Sequence, residues 1–156
     1  MPRVPAIALA CALLGACASL PTPGMDETQL RAKMGRPDAV RTNADGSQTW
    51  EYPTGPLGRQ TYMVTVGADR AVRDVRQVLS DEYFSQVRAG MSREDVRQLL
   101  GKPGSVSVFA ARDEEVWSWR YLQETPKFFN VMFDRSAGTV RTVQRLDEIL
   151  YMDHDS

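Results

Sequence analysis

Two hydrophobic rhythms alternate along this chain. Leu30 and Met34 recur four residues apart, and Val96, Leu99 and Leu100 fall at i, i+3 and i+4, so each segment shows one apolar helical face. Asp26 and Ser92 precede these faces as N-caps, with Gln29 and Asp95 three positions on, in the spacing of a capping box. Gly35 and Gly101 supply left-handed stops, and Pro37 and Pro103 prevent the helices from resuming. Ser80 to Val87 reads as a further short helix, with acids in its first turn and Phe84 and Val87 three apart. Elsewhere the period is two. Trp117, Trp119 and Tyr121 point one way and Val116 and Ser118 the other, followed by Phe129, Val131 and Phe133. Upstream, strands are expected near Gln48–Tyr52, Thr61–Val66 and Val72–Leu79, with Asp45-Gly46 as a hairpin signal.

These rhythms occur twice. Gly24 to Pro37 aligns with Gly90 to Pro103 at an offset of 66, sharing Gly-Met at the start, Arg31/Arg97 and a closing Gly-x-Pro. Thr49-Trp50-Glu51-Tyr52 then aligns with Ser118-Trp119-Arg120-Tyr121 at an offset of 69, and Met63–Val66 with Asn130–Phe133. Self-similarity at a long period governs the expected fold. It is α+β: two tandem units, residues 24–79 and 80–152, each a helix-helix-three-stranded antiparallel sheet. About 60 residues bury too little surface to stand alone, so the two units should share a sheet or a tight interface.

The first residues serve as an address. Arg3 precedes an uncharged run from Val4 to Leu14, which is shorter than the roughly 20 apolar residues a bilayer span needs. A basic start, an apolar run and small residues at its end form a secretory signal pattern. Leu14-Gly15-Ala16-Cys17 resembles the lipobox of bacterial lipoproteins. That resemblance implies a signal peptide over 1–16, covalent lipid on Cys17, and a short tether over 17–23. Ala18 in place of aspartate implies export to the outer membrane. Ala16-Cys17-Ala18 also reads as an A-x-A site, which would release a soluble secreted protein. Ala18 to Gly24, stiffened by Pro21 and Pro23, reaches at most about 25 Å, so an anchored folded part would work close to the membrane.

Gly90-Met91-Ser92-x-Glu94-x-Val96-x-x-Leu99-Leu100-Gly101-x-Pro103, with the Trp-rich strand and Phe129-Asn130-Val131-Met132-Phe133, resembles the SmpA/OmlA (BamE-like) outer-membrane lipoprotein family. A tandem form of the same unit is found in the β-lactamase inhibitor protein fold. The resemblance implies a non-catalytic, protein-binding scaffold on the periplasmic face of the outer membrane. It would act in outer-membrane protein assembly or envelope maintenance, with an envelope protein of the β-barrel assembly machinery as partner. An alternative in the same fold is a periplasmic or secreted inhibitor. BamE-type sequences carry a Gln-Gly-Asn-like stretch before the first helix; Ala18 to Pro23 has none, so no contact residue is carried over.

Composition removes several chemistries. The 156 residues hold 19 basic and 20 acidic groups, for a net charge of −1, which gives no electrostatic case for nucleic acid. One histidine, His154, and two cysteines cannot furnish a Cys/His zinc site, so no metal and no cofactor beyond the lipid is expected. Asp26/Glu27, Asp81/Glu82 and Glu94/Asp95 sit in first helical turns, where acids complement the helix dipole, and Glu114/Glu115 is the fourth adjacent pair. No base lies where a nucleophile could use it, so an enzyme is not expected. Aromatic residues remain as candidate contacts. Phe128 and Phe129 fall on opposite faces of a strand, and with Tyr62 they are the expected partner-binding residues.

Overall fold

The computed structural model describes residues 20–55 and 57–148. Helix α1 (Glu27–Met34) leads into strands β1 (Ala39–Thr42), β2 (Gln48–Pro53), β3 (Thr61–Val66) and β4 (Val72–Gln77). Helices α2 (Asp81–Phe84) and α3 (Arg93–Leu100) follow, then β5 (Ser105–Phe109), a 3₁₀ turn Ala110–Arg112, β6 (Glu114–Leu122), β7 (Pro126–Asp134) and β8 (Thr139–Asp147). The strands form two four-stranded antiparallel sheets, ordered β1-β2-β3-β4 and β5-β6-β7-β8.

The expected three strands per sheet are therefore four. The additional strands, β1 and β5, follow the Gly-x-Pro stops. Both are edge strands and carry too few core-facing residues for a period of two to stand out, with burial patterns that run intermediate to exposed. Asp45-Gly46 is the turn of the β1–β2 hairpin, closed by the Asn43 N–H donating to the Ser47 carbonyl at 2.8 Å. The expected pair of helices per unit is also corrected. Among the described residues one helix, α1, precedes the first sheet, and α2 packs into the core of the second through Phe84.

Both longer helices start and stop as their capping residues require. The Asp26 carboxylate accepts the Gln29 N–H at 2.8 Å and the Gln29 amide oxygen accepts the Asp26 N–H at 3.1 Å. Ser92 and Asp95 make the same reciprocal pair at 3.1 and 2.8 Å. Gly35 and Gly101 leave their helices at φ 77° and 79°, each N–H donating to the arginine carbonyl four residues back. Further bonds match between the two sheets. Gly24 N–H reaches Val72 carbonyl and Gly90 N–H reaches Val140 carbonyl, both at 2.8 Å.

Strand register revises the tryptophan alignment. Trp50 lies opposite Val40 and Val64, and Trp117 lies opposite Val106 and Val131. Each indole N–H donates two residues back, to Gln48 at 3.0 Å and to Glu115 at 2.6 Å. Trp117, not Trp119, thus occupies the place of Trp50, and the offset between the two sheets there is 67.

One face of the first sheet packs Trp50, Tyr52, Tyr62 and Val64 against Leu30 of α1. The core of the second gathers Trp119, Phe129, Val131 and Phe133 with Val96 and Leu100 of α3. Met63 from β3, and Val78 and Leu79 beyond β4, also belong to this second core. Helix α3 therefore has a sheet on each side. Its Val96 and Leu100 face the second sheet, while Gly101 at its end lies against Thr61, Glu51 and Met63 of the first.

Candidate functional site

Three separate segments converge on one groove of about 880 Å³: the end of α1, the β2–β3 connection, and the link from α3 into β5. The two Gly-x-Pro stops turn the chain here, which brings Arg36 to one wall and Pro103 to another. Met34 and the small exposed edges of Tyr52, Tyr62 and Leu79 provide apolar surface, Trp119 at 1% exposure adds almost none, and Leu20, the first described residue, lies at the same groove. Lys33, Arg36, Lys102 and Arg120 line it with cationic heads, against Asp38 as the acid among its lining residues.

Lys102, Asp38 and Arg120 are held in place. Lys102 Nζ lies 3.3 Å from Asp38 Oδ1, and Arg120 lies 3.2 Å from Glu148, which also takes Arg59 at 3.0 Å. Burial pushes the Tyr52 phenol up to about 12, so it stays neutral and donates to the Gly35 carbonyl at 3.4 Å. Acid–base catalysis needs two titratable groups set apart by environment across a cleft, and this groove has one carboxylate among its lining residues, already ion-paired. Its lining combines aromatic edges with a cationic rim. Among the described residues no three His, Cys, Asp or Glu side chains gather as a metal site, and no helix is long and apolar enough to cross a membrane.

The three expected contact residues separate in space. Tyr62 lines the groove and is 9% exposed; Phe128 is 8% exposed, beneath the Arg120 guanidinium at 5.2 Å; Phe129 is 1% exposed. The Phe129 ring stacks on Phe84 at 4.1 Å inside the second core, which leaves it no face for a partner. Cys17 lies outside the described residues. Arg36, Asp38, Lys102 and Trp119 were not among the expected contacts, because no short motif unites them. The repeated Gly-x-Pro was the available signal, since both copies turn into the same groove.

The described residues define an α+β protein of two four-stranded antiparallel sheets with a partly cationic groove. Residues 77–134, from the end of β4 through β7, match the family model of the outer membrane protein assembly factor BamE domain. This is a non-catalytic accessory family. No curated protein matches the sequence. Among solved structures, an osmotically inducible lipoprotein, OsmE, is similar at 22% identity and a TM-score of 0.40 over 50% of this chain and 83% of that one. A β-lactamase inhibitor protein from Streptococcus mutans is similar at 15% identity and a TM-score of 0.36, over 80% and 83% of the two chains. An extracellular SCP-domain protein from Bacillus anthracis is similar at 17% identity and 0.31, over 83% and 45%.

Proposed function

We propose that this chain is a lipoprotein of the outer membrane, anchored through Cys17 and facing the periplasm, that works as a non-catalytic scaffold in outer-membrane protein assembly. Residues 1–16 are the signal, 17–23 the lipidated cysteine and tether, and 24–79 and 80–152 two copies of one unit. The observation that carries this reading is the BamE-domain match over 77–134. The groove supports it, because Leu20, three residues beyond Cys17, lines its wall. A partner bound there would be held near the anchor. Confinement at a surface raises the effective concentration of such a partner without any new contact.

The test is made on the full chain in cells. Palmitate label should enter the protein and disappear in Cys17→Ala, with the variant leaving the outer-membrane fraction. A photo-crosslinking residue at Tyr62 should capture a component of the β-barrel assembly machinery, and one at Arg73, exposed on β4 away from the groove, should not. Unlabelled protein that remains in the membrane fraction would overturn the anchor. Capture at Arg73 but not at Tyr62 would overturn the groove as the docking site.

A further inference from the structure

Four strands stand at sheet edges: β1, β4, β5 and β8. An edge strand presents a row of backbone N–H and C=O groups that can template pairing, and proteins blunt such edges with charges, proline or a covering element. Arg41 on β1, Arg73, Asp74 and Arg76 on β4, and Arg141, Arg145 and Asp147 on β8 do this. Strand β5 reads Ser-Val-Ser-Val-Phe and has no charge and no proline. Its Val106, Val108 and Phe109 are 52%, 54% and 42% exposed, the largest run of exposed apolar side chains among the strands described.

The contrast with β1 sharpens the point, since Val40 opposite Trp50 and Val106 opposite Trp117 hold matching places. Helix α3 lies over the face of the first sheet that carries Arg41 and Glu51: Arg41 donates to the Gln98 carbonyl at 3.4 Å, Glu51 holds Arg97, and Lys102 pairs with Asp38 just ahead of the strand. At the place of Arg41, β5 has Ser107.

We infer that β5 pairs antiparallel with β5 of a second copy of this chain, about a two-fold axis through Ser107, joining two four-stranded sheets into one of eight. The occupant is a second copy because the strand complements itself. With Ser107 opposite its own counterpart, Val106 meets Val108 of the other copy and Ser105 meets Phe109, each pair occurring twice, as a two-fold interface requires. No charge within the strand meets a like charge in this pairing. An edge of five residues makes a small interface, of the weak, reversible kind. The inference goes beyond the proposed function and does not depend on lipid or on any assembly partner.

Register makes the test sharp. Directly opposed residues on antiparallel strands have Cα atoms about 4.5–5.5 Å apart, within the span of a disulfide. The full chain carrying Ser107→Cys, oxidised with copper–phenanthroline, should give a covalent dimer. Ser105→Cys alone should not, because its opposite number is residue 109. Chains carrying Ser105→Cys mixed with chains carrying Phe109→Cys should restore a dimer. Adding Val108→Lys to Ser107→Cys should abolish the crosslink without changing the circular dichroism spectrum or the melting temperature, since Val108 is exposed. The parent chain under the same oxidant controls for Cys11 and Cys17. Equal dimer yield from Ser105→Cys and Ser107→Cys, monomer from both, or a Ser107→Cys adduct to a different protein would each overturn the inference.

Discussion

The Glu51 carboxylate on β2 holds the Arg97 guanidinium on α3 at 2.6 and 2.7 Å and accepts the Lys102 N–H at 2.7 Å, with Glu51 itself 1% exposed. One acid from the first sheet thereby ties down both the body and the end of the helix that covers the second. A buried carboxylate is costly to desolvate and is tolerated when its lone pairs are filled, as they are here. This contact makes the two sheets one structure rather than two domains on a linker.

Glu51→Ala should cost about 2–4 kcal/mol in urea unfolding, because it leaves the Lys102 N–H without its acceptor and the Arg97 charge with only Asp38, 3.8 Å away. Replacing both members, Glu51→Met with Arg97→Met, should recover most of that loss, since an apolar pair of similar size has no stranded charge. A double variant no better than Glu51→Ala would mean that the contact acts by shape and not by charge.

Gly35 and Gly101 form an internal control for helix stops. Both hold a positive φ, 77° and 79°, with ψ at −157° and −168°, outside the left-handed helical region and in one that is essentially glycine-only and costs an L-residue about 1–3 kcal/mol. A methyl at Gly35 meets nothing within 4 Å, whereas one at Gly101 would come within 2.9 Å of Thr61 Cγ2 and 3.0 Å of Glu51 Oε1. Gly101→Ala should therefore lose about 1–3 kcal/mol more than Gly35→Ala, from overpacking between helix and sheet. Equal losses in denaturant titrations would show that the helix end can shift away from β2 and β3.

Acid should weaken the fold through its turn carboxylates. The Ala137 N–H, then Arg141 and Ser136, lower Asp134 from an ordinary 3.8 to about 2, and Ser92 holds Asp95 below the usual carboxylate range. A depressed folded-state pKa stabilises the protein above the unfolded value, and that stabilisation is lost as pH falls through the folded one. The melting temperature should accordingly hold down to about pH 5 and fall between about 4 and 2. Asp134→Asn should start lower at neutral pH and show a shallower fall. A variant that parallels the parent across the whole range would remove Asp134 from the account.

Alkaline titration addresses the groove. Tyr52, raised to about 12, keeps its stabilisation below the ordinary phenol value of 10.0 and loses it as pH climbs through the raised one. Absorbance at the phenolate band should show Tyr52 ionising at about 12, with Tyr121 also held above the ordinary phenol range by burial, and Tyr52→Phe should remove the step at about 12. Persistence of the step in Tyr52→Phe would assign it to a different ring.

Helix limits were legible because the information is local. Asp26 with Gln29, Ser92 with Asp95, and the two Gly-x-Pro stops act within a few residues of one another, and α1 and α3 begin and end where they dictate. Thr61–Val66 was legible for the same reason, as a β-branched run between turn residues. Strands β1 and β5 were not, because an edge strand has one partner and buries little. Trp119 was matched to Trp50 because both precede a tyrosine. Cross-strand register, which no neighbouring residue encodes, put Trp117 there instead.

From the linear order of residues alone came the α+β class and the doubled pattern of capped helix and alternating strands. These follow from periodicity and composition, which are properties of short windows and totals. The burial of Glu51 under α3, the loss of Phe129 to the second core, and the meeting of Arg36, Lys102 and Trp119 at one groove arise from how the layers stack. Each of these joins residues brought together by sheet register and helix docking, interactions that act across space and leave no mark at any fixed spacing along the chain.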